Sequence, residues 1–322
     1  MNSSVTFGLT VTTTKYSITD STTGPVTITK NVVVTSSGST QSNTSTTFDT
    51  GYWADGYWLT QNYTQLYPSG TAITLRIDDE KSATQQLIPY AANQASQYNV
   101  TYKMQMFSFD WTHPGKSSPV NQLNTLTDVA TLGSINVASL FPVQDYWFRN
   151  NCPSSSNCIN DQATEMYNML TAMNATMPTA GNGTATSTPQ EVLFIITDGM
   201  VDEAPGGSRV HAPLNANDLA QCTAIKAKGI KIAILYTQYL AQALVGDGWS
   251  QTNVAPYLPA PGSPFPAGNA GSSDQDLAAL QSCASPDASG LPMVQQVTTD
   301  GDLAAALQAL FNKTVQSSRL IG

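Results

Sequence analysis

An apolar run ending in Ile195-Ile-Thr-Asp-Gly-Met-Val-Asp-Glu is where this sequence comes closest to chemistry. A carboxylate at the end of a buried strand, followed by a glycine that permits a tight turn, is placed to coordinate a hard cation directly or through water. Asp198 could equally cap the turn that follows it. Other combinations offer less. Asp78, Asp79 and Glu80 are adjacent, whereas glycoside hydrolysis needs two separated carboxylates, so they read as charge complementing a helix start. His211 has Ser208 and Asp202 nearby but in no order that makes a triad, and no Gly-x-Ser-x-Gly elbow occurs. Neither Gly-x-Gly-x-x-Gly nor a P-loop is present. His113 and His211 are the only histidines and no Cys-x-x-Cys occurs, which leaves zinc unsupported. The aromatic cluster Tyr52, Trp53, Tyr57, Trp58, Tyr63 and Tyr67 reads as packing under a loop, with sugar contact as the alternative.

The elements that must position Asp198 alternate between helix and strand. Ile77–Gln97 carries a helical stripe of Ala83, Leu87, Ile88, Ala91, Ala92 and Ala95, with Pro89 as a kink. Val100–Phe109 alternates as a half-buried strand does, and Asp161–Met173 reads as a helix. Val192-Leu-Phe-Ile-Ile is continuously apolar, the pattern of a strand buried on both faces of a parallel sheet. Asn217 is placed to cap a helix running to Lys228, with Gly229 at its C′ position. Ile230–Tyr236 reads as a second buried strand, and helices are expected over Asp274–Ala284 and Asp302–Ser318. This repetition predicts an α/β fold, a doubly wound and mostly parallel sheet flanked by helices. Ahead of it, residues 1–47 read as β-structure, with Ser36–Thr47 as the linker. The division is therefore a β-rich segment and linker over 1–47 and an α/β domain over 48–322.

Composition narrows the partners. Only 11% of the 322 residues are charged, and Ser, Thr, Asn and Gln fill the surface instead, a habit of exported proteins. A net charge of −9 with only 13 Lys plus Arg argues against nucleic acid and against a polybasic membrane contact. No apolar run reaches the length of a membrane span, and no signal-peptide pattern opens the chain. A targeting segment is therefore expected upstream of Met1. Four cysteines allow three pairings; Cys152–Cys158 and Cys222–Cys283 are the expected ones, and four unpaired thiols the alternative.

Several blocks resemble the von Willebrand factor A-type domain of TadG-like Flp pilus-assembly proteins. They are Leu75-Arg-Ile-Asp-Asp; Lys103-Met-Gln-Met-Phe-Ser-Phe; Pro189-Gln-Glu-Val-Leu-Phe-Ile-Ile-Thr-Asp-Gly-Met-Val-Asp-Glu; Cys222-Thr-Ala-Ile-Lys-Ala-Lys-Gly-Ile-Lys-Ile-Ala-Ile-Leu-Tyr-Thr; Leu280-Gln-Ser-Cys-Ala-Ser-Pro; and Thr299-Asp-Gly-Asp-Leu-Ala-Ala-Ala-Leu-Gln-Ala-Leu-Phe. Together they span residues 70–320 in the family's order. The resemblance implies a metal-ion-dependent adhesion site, an oxygen cage for Mg²⁺ or Ca²⁺ whose open position takes a carboxylate from a protein partner. It implies Asp198 as the Asp of the third loop and Thr164, near Asp161 at a helix start, as the Thr of the second. The first loop, Asp-x-Ser-x-Ser, occurs nowhere in the chain. Its nearest likeness is Thr35-x-Ser37-x-Ser39, where Ser37 and Ser39 would form a degenerate loop without the carboxylate. Read otherwise, and preferably, that string is the end of the β-rich start, since Ser/Thr-rich strings match cheaply. The motif-bearing segment is then missing or replaced between Ser36 and Gly70.

The expected function is a non-enzymatic binding or adhesion module that contacts a pilus or cell-envelope protein. It would be exported to the periplasm or cell surface and membrane-anchored through the upstream segment. A secreted hydrolase or a carbohydrate-binding protein is the alternative, and a structural domain with a degenerate cation site is a third.

Overall fold

The computed structural model describes residues 2–7, 10–19, 27–36, 39–49, 74, 76–109, 118–140, 164–203, 210–246, 248–298 and 301–319. The chain divides into two compact units, Met1–Ile73 with Pro142–Ile159, and Thr74–Phe141 with Asn160–Gly322.

The first unit holds an antiparallel meander of β1 (Asn2–Phe7), β2 (Thr10–Thr19), β3 (Thr27–Ser36) and β4 (Ser39–Asp49), paired in sequence order. Thr and Val supply nearly half of the residues of these strands, and β-branched residues suit a pleated surface. The stretch expected to be a linker is instead β4, paired with β3 from Thr27↔Asp49 to Ser36↔Ser39. Its threonines make a strand of a segment whose polarity alone reads as coil.

The second unit begins with α1 (Arg76–Tyr98), which runs through Pro89 and buries Ala83, Leu87, Ile88, Ala91 and Ala95. Two short antiparallel pairs follow: β5 (Lys103–Met104) and β6 (Phe107–Phe109) join β8 (Thr127–Asp128) and β7 (Val120–Gln122) respectively. The single strand expected over 100–109 is thus two short ones. After α2 (Met166–Thr176) come β9 (Val192–Thr197) and the hairpin of β10 (Met200–Glu203) with β11 (Val210–Pro213). The rest runs through α3 (Ala216–Ala227), β12 (Lys231–Gln238), the short α4 (Gly248–Asn253), α5 (Gln275–Cys283), β13 (Val294–Thr298) and α6 (Leu303–Arg319).

Strands β13, β12 and β9 form a parallel sheet in that order, with β12 in the middle. Period-two alternation sends its side chains into two separate cores. Leu193, Ile195, Ile232, Ile234 and Tyr236 meet α2, α3 and α5 on one face. Ala233, Leu235 and Val297 meet α1 and α6 on the other, with Val192, Phe194 and Ile196 packed against them. Helices therefore cover both faces of a mixed α/β unit, which is why the strands read as unbroken apolar runs.

Helix ends are tied to their neighbours. The cap of α3 is Asn215 rather than Asn217: its side chain accepts the N–H groups of Asn217 and Asp218, and Asp218 accepts the Asn215 N–H at 2.7 Å. Gly229 adopts φ 77° just beyond the helix, as its C′ position requires. Lys228 Nζ donates to the carbonyls of Asn174 and Met177 at the end of α2. Lys226 Nζ donates to those of Ser282 and Ala284 at the end of α5. A disulfide joins Cys222 of α3 to Cys283 of α5, both fully buried. Cys152 and Cys158 lie outside the described residues. No helix among the described residues is long and apolar enough to cross a membrane.

The disulfide closes a loop 61 residues apart in sequence, which by chain entropy stabilises the fold by about 4 kcal/mol. Replacing both Cys222 and Cys283 by Ala is expected to lower the unfolding free energy by several kcal/mol in urea melts. A midpoint unchanged from the oxidised parent would contradict this.

Candidate functional site

At the carboxyl end of β9 the chain turns sharply through Asp198 and Gly199. Thr197 Oγ1 accepts the Gly199 N–H at 3.1 Å, and Asp198 Oδ1 accepts the Met200 N–H at 3.3 Å. Gly199 has φ 93°, and a Cβ there would stand 2.9 Å from Asp276 Cβ and 3.0 Å from the Tyr236 ring. The glycine is required twice, for its backbone angle and for the closeness of α5.

The start of α1 closes over the same end of the sheet. Arg76 donates to the carbonyls of Thr237 and Gln238 at 2.7 and 2.9 Å, and its guanidinium lies 4.1 Å from the Tyr239 ring centre. The Tyr239 hydroxyl donates to the Asp198 carboxylate. Burial pushes Asp198 up, against the lowering pull of the Met200 N–H and of Arg76. One turn along α1, burial and then the Asp198 charge push Glu80 up to about 7. Two carboxyls from different elements thus share one poorly solvated place, with a single guanidinium largely engaged elsewhere.

A polar network adjoins them. Asp274 caps α5 by accepting the Leu277 N–H at 2.8 Å, and it also accepts the Tyr236 hydroxyl at 3.2 Å and the Gln238 side-chain amide at 2.6 Å. Gln296 of β13 donates to Gln238 at 2.6 Å. Two residues after the cap, Asp276 is fully buried, and neither of its carboxyl oxygens has a hydrogen-bond partner. Burial, then the charges of Asp274 and Asp198, push it up to about 8. A pocket of about 230 Å³ between the starts of α1 and α6 is lined by Asp79, Ser82, Gln86 and Asp302. That is smaller than the roughly 300–1,000 Å³ of sites that enclose drug-sized ligands.

Of the residues singled out in the sequence, Asp198 stands at this crest. Thr164 lies in a β-bridge with Asp202, their backbones exchanging N–H···O bonds of 3.0 and 3.1 Å. It borders a second group of buried acids, Glu165, Asp202, Glu203 and Asp218. Ser37 is outside the described residues, and Ser39 opens β4 in the first unit. Asp78 pairs with Lys81 at 3.8 Å and Asp79 is exposed, as charges at a helix start should be. His211 faces Asp202 across the hairpin and packs edge-on against Trp249 with ring centres 5.0 Å apart, while Ser208 is outside the described residues. The aromatic cluster of residues 52–67 also falls outside them. Among the described residues, no three His, Cys, Asp or Glu side chains stand close enough together to hold a metal ion.

Sequence reasoning did not assign Arg76, Tyr239, Asp274 or Asp276 to this crest, and it took Glu80 for surface charge. Their only sequence signal is position, at the start of a helix or just past a strand.

Fold and crest together define an α/β domain with acidic side chains gathered at the carboxyl ends of parallel strands, where such sheets place their binding sites. No family model and no curated protein matches the chain. Among solved structures it is similar to the pilus adhesin SpaC from Lactobacillus rhamnosus GG in its open conformation. That similarity covers 99% of this chain and 35% of SpaC at 10% identity, with a TM-score of 0.39. Another form of SpaC is similar over 96% and 34% at 11% identity, again with a TM-score of 0.39. The chain thus spans about a third of the length of these structures, and the likeness is below the level at which a shared fold is defined.

Two expected outcomes test the local structure. Gly199→Ala should destabilise the fold by about 1–3 kcal/mol, through the positive φ and the collision with α5; a chemical melt that matches the parent would count against this packing. Burial, Asp218 and Glu165 raise Glu203 from 4.5 to about 6. A raised acid contributes its stability in full below the unfolded value, and that contribution is lost as pH rises through the folded one. Glu203→Gln should therefore be more stable than the parent above pH 6, by on the order of 2 kcal/mol, and lose that advantage near pH 4. Urea melts across that range provide the check, and parallel curves would refute the assignment.

Proposed function

We propose that this chain is a non-enzymatic protein-binding or adhesion module of von Willebrand A type, belonging to a TadG-like pilus-assembly protein. In this reading it is exported to the periplasm or cell surface, anchored through a segment upstream, and contacts a pilus or cell-envelope protein. The buried disulfide between α3 and α5 supports an oxidising compartment. The observation that carries the reading is Asp198, held on a glycine turn at the carboxyl end of β9 beside Glu80.

The donors at the crest fit a hard cation. They are carboxyl oxygens crowded by burial and by one another, which a divalent ion would relieve. Mg²⁺ takes one or two carboxylates and keeps several waters, so it does not need three acidic ligands. Asp198 would hold the ion, while Thr164, the second ligand that the family resemblance supplies, lies in the β-bridge with Asp202 beside the second group of acids. Bound there, the ion would lend positive charge to attract a carboxylate from the partner. Tyr239, with the Arg76 guanidinium over its ring, fixes the Asp198 side chain, and Gly199 keeps the turn open. In this reading the arrangement recognises a partner.

Thermal melting of the full chain with MgCl₂, CaCl₂ or EDTA tests this. The melting temperature should rise with the cation, by the equivalent of about 2.7 kcal/mol at a hundredfold excess over Kd. Asp198→Ala should abolish the rise, and glycan and peptide panels should show no turnover. Turnover that a carboxylate substitution removes would sink the proposal.

A further inference from the structure

The missing first loop leaves a cation at Asp198 short of a carboxylate, and a buried acid one helix away has no other evident use. We infer that Asp276, from the first turn of α5, supplies the second carboxylate of the crest cation site in place of the absent Asp-x-Ser-x-Ser loop. This rests on the cation reading of Asp198 proposed above.

Three observations point to it. Asp276 is 0% exposed, and both of its carboxyl oxygens lack any hydrogen-bond partner. Desolvating a carboxyl group without giving it a partner is costly, and native structures carry few such groups unless a ligand, ion or water completes them. Its immediate surroundings do not need it for packing: Leu280 and the Tyr236 ring line the same spot around Gly199, where an apolar side chain would serve better. Its Cβ lies where a Gly199 Cβ would come within 2.9 Å, so the side chain packs against the Asp198–Gly199 turn itself. The other acid at the start of α5 is already spent. Asp274 accepts the Leu277 N–H, the Tyr236 hydroxyl and the Gln238 amide, which makes it the cap that sets α5 in place. Asp276 is then the acid of α5 with lone pairs to give.

The ligand is a divalent oxygen-seeking cation, Mg²⁺ or Ca²⁺, held by Asp198 and Asp276 with water completing the shell. The experiment is calorimetric titration of the full chain with MgCl₂ and, separately, CaCl₂. It compares the parent with Asp198→Ala, Asp276→Asn, the double variant and Glu80→Gln. Asp276→Asn is expected to weaken the cation by roughly 10–100-fold, while the melting temperature in EDTA stays at or above the parent's. The double variant should bind no worse than Asp198→Ala alone. If the parent binds and Asp276→Asn binds equally well, this inference fails and the cation reading of Asp198 stands. If the parent binds neither ion, both fail. Should Asp276→Asn not fold, Asp276→Ser replaces it under the same criteria.

Discussion

Strand β12 is buried on both faces over Ile232–Gln238, and the second unit is organised around that constraint. A strand in that position can present no polar side chain to water along its length, so its residues divide between two apolar cores. It can also leave no backbone group unpaired. At its start, Ser285 exchanges hydrogen bonds with Ile232, its hydroxyl accepting the Ile232 N–H and its own N–H reaching the Ile232 carbonyl, each at 2.9 Å. At its end, where the ladder runs out, Arg76 takes the carbonyls of Thr237 and Gln238. The start of α1 is drawn to the crest by that requirement, and Glu80 comes with it.

The same geometry explains the acidity of the crest. Parallel strands finish at one end, so the side chains that follow them meet there: Asp198 after β9, Tyr239 after β12, and the cap of α5 reached through the loop beyond. Each acid is tolerable alone. Together, in a poorly solvated place with one guanidinium directed at carbonyls and an aromatic ring, burial raises all three and the Asp198 charge further raises Glu80 and Asp276. Structural ion pairs would have been balanced by cations. Among the described residues this grouping is not, which marks the binding end of the sheet as the candidate site.

Much of the architecture was legible because it rests on periodicity. Unbroken apolar runs at Val192–Ile196 and Ile230–Tyr236 announce strands covered on both sides, and the stripe from Ala83 to Ala95 announces α1. The pairing of Cys222 with Cys283 followed from even cysteine arithmetic and two candidate helices. What sequence missed was set by long-range contact. Asn215 displaced Asn217 as the cap of α3 because a reciprocal bond with Asp218 was available. Ser39–Asp49 became a strand because β3 offered an edge. Glu80 looked like surface charge until α1 was seen to dock on the crest, and nothing in the local pattern around Asp276 tells that its carboxyl faces inward. Asp198 was readable because strand-Asp-Gly is a local pattern; its neighbours come from segments up to 122 residues before it and 78 after it.

Those neighbours are held by rigid elements, and this bears on what the crest can do. At one end α5 is fixed by Asp274, which ties its first turn to Tyr236 and Gln238 of β12. At the other it is fixed by Cys283, by Lys226 and by the Ser285 knot. The helix cannot slide along the sheet without breaking one set or the other. The long connection between β12 and α5 forms a small core around Ala241, Val254 and Leu258, joined to the crest through Met200 and Tyr239. Groups that must converge on one ligand need placement to within about half an ångström. A sheet end clasped by Arg76 on one side and a helix pinned at both ends on the other provides that placement, which loops alone would not.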